Sequence, residues 1–216
     1  MKTVTEPPLR ERMKQQTRQL IADTAFSLFA ERGFEGVPVA EIARQAGVSE
    51  ATVFNYFPAK EDLIYSGMQG FKADLLAAVR ERRPGQPMLD AVRDYLLTRK
   101  GLLAAPDPEA GARLRALSRI VTASPALRAR ERQIYDEATG ALADLIAAET
   151  SAGPDAVEPW VIANALTGVH RALVGYVRSR ILAGADPAAI TEDTRSQTRR
   201  AFAALEQGLS HGGGDA

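Results

Sequence analysis

Residues 49–60, SEATVFNYFPAK, bring together side chains suited to one task, the recognition of a polyanion that carries hydrogen-bonding bases. Thr52 supplies a hydroxyl for a phosphate or a base edge, and Tyr56 a phenolic proton for a phosphate oxygen. Asn55 can offer its amide to a base edge in the major groove, and Ala51 can touch a thymine methyl group. Lys60 adds a point charge at a helix start, where backbone amides also attract anions. Glu50 lies on the same face. A carboxylate repels phosphate, so Glu50 either reads a cytosine amino group or points away.

Two short helices joined by a tight turn must hold these groups. Val39, Ile42 and Ala43 have the i, i+3, i+4 spacing of one buried stripe, which predicts a helix over about 39–45. Gly47 stands where that helix must stop, because a left-handed backbone turn is cheap only for glycine. Val48 points inward, and Ser49 is suited to cap a second helix over 50–57. In that helix Val53 and Phe57 face the core at i, i+4, and Phe54 is counted with them as core. Pro58 ends it, because the residue before a proline disfavours the helical region. The pattern is a helix-turn-helix with the second helix as the recognition element.

The longer stretch IADTAFSLFAERGFEGVPVAEIARQAGVSEATVFNYFPAKEDL, residues 21–63, resembles the DNA-binding domain of the TetR family of bacterial transcriptional repressors. The matching features run in order: a first helix ending in LFAERGFEG, then VAEIA, AGVS, T-x-F-x-YF and K-E-x-L. The resemblance implies DNA contacts from Val39, Glu50, Ala51, Thr52, Asn55, Tyr56 and Lys60, with Ser49 beside them. It departs at Pro38, where the family usually has a Thr or Ser that caps the helix and reaches a phosphate. Proline is compatible with a helix start, but that hydroxyl contact is lost.

Composition agrees with an all-α chain. Of the 216 residues 45% are hydrophobic, no segment alternates with period two, and β-branched runs are scarce. The chain is long enough for a small domain and a larger one. Having no cysteine excludes disulfides and thiolate metal sites and fits a reducing cytoplasm, the expected location. No apolar run reaches the ~18 residues of a membrane span, and the N-terminus has no apolar core of a signal peptide. Net charge is zero, yet residues 1–18 carry five basic against two acidic residues. That arm either reaches the DNA backbone or is a solvated tail.

The expected organisation is a flexible arm over 1–13, a three-helix DNA-binding domain over 14–60, a larger helical domain over 61–209 and a tail over 210–216, about nine helices in all. The first helix runs from Leu9 or Arg12 to Arg32, with Gly33 closing it and Phe34 packing back on Phe29. A fourth helix is expected to run unbroken from Ala59 or Lys60 to about Arg83 and to link the two domains. After the break RRPGQP come helices over Met88–Leu103, Pro108–Thr122, Pro125 to Thr150 (capped by Ser124), 155–183 and 187–209 (capped by Asp186).

The resemblance implies a homodimer formed through the last two helices and an effector cavity in those before them. The 155–183 helix is apolar on more than one face and must be covered on more than one. Trp160 and Tyr176 on it, with Phe202, Leu205 and Leu209 on the last helix, are the candidate dimer contacts. Candidate pocket residues are Phe71, Leu75, Leu96 and Leu117, then Val121, Tyr135, Val169 and Leu173; each reads first as plain core. His170 is a polar group able to orient a ligand or a satisfied core histidine. The segment RALSRIVTASPALRARERQ resembles a subgroup of the family with acyl-chain or acyl-CoA-like ligands.

The implied function is a ligand-responsive repressor that binds a palindromic operator in double-stranded DNA as a dimer and is released by a small, largely apolar effector. No cofactor or metal is expected. An enzyme finds little support: two histidines, no cysteine, and no GxGxxG or GxxxxGK. A helical protein–protein adaptor would account for the C-terminal region but leave residues 38–60 without a role.

Overall fold

Apolar residues recurring every three to four positions close on one another as helices in the computed structural model, which describes residues 9–68, 70–98 and 108–210. Among these residues are nine α-helices and no strand, as an all-α chain requires. They are α1 Leu9–Arg32, α2 Val39–Gln45, α3 Glu50–Tyr56, α4 Phe71–Arg80 and α5 Met88–Thr98, followed by α6 Pro108–Ala123, α7 Pro125–Thr150, α8 Glu158–Leu182 and α9 Pro187–Ser210. The chain divides into two compact units, Met1–Gly67 with Ile120–Arg128, and Met68–Arg119 with Ala129–Ala216.

In the first unit Ile21, Ala25 and Phe29 of α1 are buried with Ile42 of α2, Val53 of α3 and Phe57. Gly33 takes the left-handed φ of +77° that closes α1, its N–H bonding Phe29 O at 2.9 Å. The Phe34 ring then returns to 5.0 Å from that of Phe29, the expected contact. Because α1 begins at Leu9, residues 9–13 of the predicted arm are helical; residues 1–8 lie outside those described.

The predicted fourth helix is not continuous. Lys60–Leu63 and Tyr65–Met68 form separate 3₁₀ turns, and α4 starts only at Phe71 after Gly70. Gly67 and Gly70 each cost a helix interior about 1 kcal/mol relative to alanine. The buried Asp62 carboxylate meanwhile accepts from Ala59 N–H at 3.1 Å, which favours the tight turn. Tyr65 is buried, and its hydroxyl donates to Leu127 O at 2.9 Å within the same unit.

That last bond shows why residues 120–128 belong with α1–α3. They are the corner between α6 and α7, where Ile120, Val121 and Leu127 are buried. Ser124 caps α7 as predicted, accepting from Leu127 N–H at 3.2 Å. Its hydroxyl also donates to Glu35 Oε1 at 2.7 Å.

In the second unit one core joins Phe71, Leu75 and Val79 of α4 to Val92 and Leu96 of α5, Leu142 and Ile146 of α7, Leu166 and Leu173 of α8 and Phe202 of α9. Along α9 the buried line is Ile190, Thr194, Thr198 and Phe202, each four residues from the last. The two threonine hydroxyls bond the carbonyls one turn back, at 2.7 and 2.8 Å, so no hydroxyl in this line is left without a partner. The Met88–Leu103 helix is seen to Thr98, and its predicted continuation lies outside the described residues. No helix is long and apolar enough to cross a membrane among the described residues.

Candidate nucleic-acid interface

The turn between α2 and α3 is built as its sequence requires. Gly47 adopts φ +68°, its N–H bonding Arg44 O at 3.3 Å while Val48 N–H reaches back to Ala43 O at 3.0 Å. These paired bonds close the end of α2. Ser49 Oγ accepts from Thr52 N–H at 3.0 Å and lies 2.8 Å from Thr52 Oγ1, so the two hydroxyls brace each other at the start of α3. Pro38 precedes α2 in an extended conformation with no side-chain cap, and Val39 is half-buried behind it.

The seven-residue α3 buries Val53, and Phe57 just beyond its end is fully buried. Glu50, Ala51 and Asn55 are exposed, Thr52 and Tyr56 half-buried. The sequence-based placing of Phe54 in the core is corrected: its side chain is 45% exposed. Each helical step turns by 100°, so a residue next to Val53 falls off the Val53–Phe57 line. That spacing was the signal for an outward Phe54, outweighed by its hydrophobicity.

Lys60 also differs from expectation. Its ammonium points inward, donating to Phe34 O at 2.6 Å and lying 4.3 Å from the centre of the Phe34 ring. Burial holds its pKa below the ordinary value of 10.5, with the carboxylates of Glu35 and Glu61 opposing that shift. Between α2 and α3 the charged residues are Glu41, Arg44 and Glu50. Glu41 pairs with Arg32 at 2.7 Å, and that guanidinium lowers its pKa. Apart from Glu50, the exposed and half-buried side chains of α3 are thus neutral, with the Phe54 ring among them.

In the second unit the structure brings together Phe71, Leu75, Leu96, Tyr135, Val169 and Leu173 in one buried cluster. Buried His170 joins them, its ring stacked 4.3 Å from that of Phe71 and its Nδ1 2.9 Å from Tyr135 Oη. A second polar pair, Thr139 Oγ1 and Thr167 Oγ1 at 2.8 Å, is also buried. Val121 belongs to the first unit, and Leu117 is only half-buried. An open groove of about 490 Å³ beside α4 and α5 has a mixed lining, with Asp74, Glu81, Arg82 and Asp94 beside Ala78 and Tyr95.

Of the residues assigned to a dimer seam, Trp160 is 50% exposed, and Tyr176 is half-buried with its hydroxyl 3.3 Å from Asp193. Leu205 packs partly buried against the core. Phe202 is corrected: it is fully buried within its own chain, because the α9 stripe faces the core. The side chain of Leu209 lies outside the described residues. Among the described residues of the second unit, the exposed large apolar side chains are Val157, Trp160, Val161 and Leu182, on α8 and the residue before it.

Residues 21–65 match the family model of bacterial regulatory proteins of the tetR family, and residues 86–210 that of the MftR C-terminal domain. The chain is similar to the HTH-type transcriptional regulator TcmR of Streptomyces glaucescens, with 33% identity over 68% of this chain and 66% of that one. It is similar also to the HTH-type transcriptional repressor KstR2 of Rhodococcus jostii, with 34% identity over 36% of this chain and 39% of that one. Among solved structures it shares its fold with NalD, the secondary repressor of the MexAB-OprM multidrug efflux pump in Pseudomonas aeruginosa, at TM-score 0.54 and 20% identity, covering 87% of this chain and 97% of that one. Salmonella enterica GusR gives TM-score 0.53 and 21% identity, covering 94% and 96%.

Proposed function

The chain belongs to the TetR family of bacterial regulatory proteins, and from that premise we propose a dimeric transcriptional repressor that binds a palindromic operator and is released by a small, largely apolar effector. The observation that carries this reading is α3, a capped helix buried along one line and open elsewhere. On its open side Ala51 and Phe54 meet thymine methyl groups, Asn55 reads a base edge, and Thr52 and Tyr56 bond phosphate. Val39, Ser49 and Glu50 complete the surface. Two copies about 34–36 Å apart would enter successive major grooves. The apolar surface of α8 around Trp160 supports a two-fold partner.

The effector's place is the core around Tyr135 and His170. Aromatic and aliphatic walls with two internal hydrogen-bonded polar pairs suit a molecule with an apolar body, an acyl chain among them, and a hydrogen-bonding end. The 3₁₀ turns before α4 leave no unbroken fourth helix between Lys60 and Arg80 to carry the shift. The α6–α7 corner offers another route: both helices continue into the second unit while Ser124 holds Glu35 and Leu127 holds Tyr65 in the first. An effector switches the protein only if it binds the two states with different affinity.

The test is selection of duplexes from a random pool by the purified protein at ~150 mM salt. Recovery of one palindrome, with affinity falling as salt rises, is the expected result. A pool that stays random, from folded dimer shown by mass spectrometry to carry no small molecule, would overturn the reading.

A further inference from the structure

Arg18 belongs to the basic stretch that sequence alone assigns to DNA or to solvent, but its guanidinium is held within its own unit. Its Nη1 donates to the carbonyl oxygen of Tyr56 at 2.8 Å, and its Cζ stands 4.4 Å from the centre of the Phe57 ring. Tyr56 is the last residue of α3. The carbonyls that end a helix lack intrahelical partners and carry the negative end of its dipole. Here the amide three residues on, that of Ala59, is given instead to Asp62 Oδ2 at 3.1 Å. A cation from α1 fills the gap while resting on the ring that anchors α3 to the core.

We propose that Arg18 is a positioning residue that sets operator specificity by fixing the C-terminal end of the recognition helix. This rests on the DNA-binding reading above. Seven residues make a helix only about 10 Å long, held at its start by Ser49. A tilt of about 10° over that length moves one end by about 2 Å, beyond the tolerance of a hydrogen bond to a base edge. Loss of the Arg18 bond therefore blurs base readout. Phosphate attraction, which tolerates such displacement, is retained.

The experiment measures affinity for the selected operator and for a scrambled duplex across a salt series, for wild type, Arg18→Gln and Arg18→Lys, with circular dichroism and thermal unfolding of each. The expected result is a loss of about tenfold or more for the operator in Arg18→Gln, the scale of a charge-assisted hydrogen bond, with scrambled binding and the salt slope unchanged. Arg18→Lys keeps the charge but lacks the planar fork over Phe57, so it too loses discrimination. If Arg18 instead bonded phosphate, Arg18→Gln would weaken both duplexes equally and lower the salt slope by about 2 for a dimer, while Arg18→Lys would bind nearly as wild type. That pattern overturns the proposal, as do unchanged operator affinities in both variants. If Arg18→Gln unfolds, Arg18→Lys decides alone. A wild type that selects no operator would sink the DNA-binding reading and this one with it.

Discussion

Replacing Ser124 by alanine tests the corner that ties residues 120–128 to the DNA-binding unit. The hydroxyl is buried, accepts from Leu127 N–H at 3.2 Å and donates to Glu35 Oε1 at 2.7 Å. Losing the cap costs about 1 kcal/mol. Losing a hydrogen bond to a carboxylate that is itself exposed costs about another 1 kcal/mol, the low end for charged acceptors. The sum of roughly 2 kcal/mol lowers the melting temperature by about 4–8 °C in a chain of this size. Glu35→Ala removes the same bond but leaves the cap, so it costs about 1 kcal/mol. Chemical denaturation of the wild type, both single variants and the double variant closes a thermodynamic cycle, with an expected coupling of about 1 kcal/mol. A coupling within about 0.3 kcal/mol of zero would refute the direct bond and leave the corner only its Tyr65–Leu127 tie.

Phe54→Ala should leave stability almost unchanged, since the ring is half exposed, and lower operator affinity about tenfold; unaltered affinity in the duplex assay would contradict its place on the DNA face. Phe57→Ala, by contrast, should destabilise by about 3–5 kcal/mol, read from its denaturation midpoint, because that ring is fully buried. Gly111→Ala would place a Cβ 2.7 Å from Pro187 Cγ, and thermal unfolding should show a loss of about 1–3 kcal/mol. Glu149 is held below its ordinary pKa of 4.5 by its hydrogen bond to Arg82, which is made at 3.0 and 2.7 Å. Its contribution is therefore complete above pH 4.5 and lost as pH falls through the lower folded value. Glu149→Gln should flatten that part of the stability profile, and an unchanged slope would exclude the pair as its source.

Local chemistry determined most of the DNA-binding unit from sequence alone. The glycines that end α1 and α2, the Ser49 cap and the Val53–Phe57 line depend on neighbours within four or five residues, so spacing suffices to read them. The same holds for Ser124 and the start of α7. What escaped depends on residues far apart in the chain. Nothing near Lys60 announces that its ammonium will meet the Phe34 carbonyl, nor does anything near Arg18 point to Tyr56, 38 residues away. The Tyr56 carbonyl ends α3 and the Phe34 carbonyl lies in the loop after α1, so each awaits a donor from elsewhere in the chain. Phe202 and Phe54 exchanged their expected places for a related reason: hydrophobicity states that a side chain favours burial, and only the packed structure decides which chain, or which ligand, covers it.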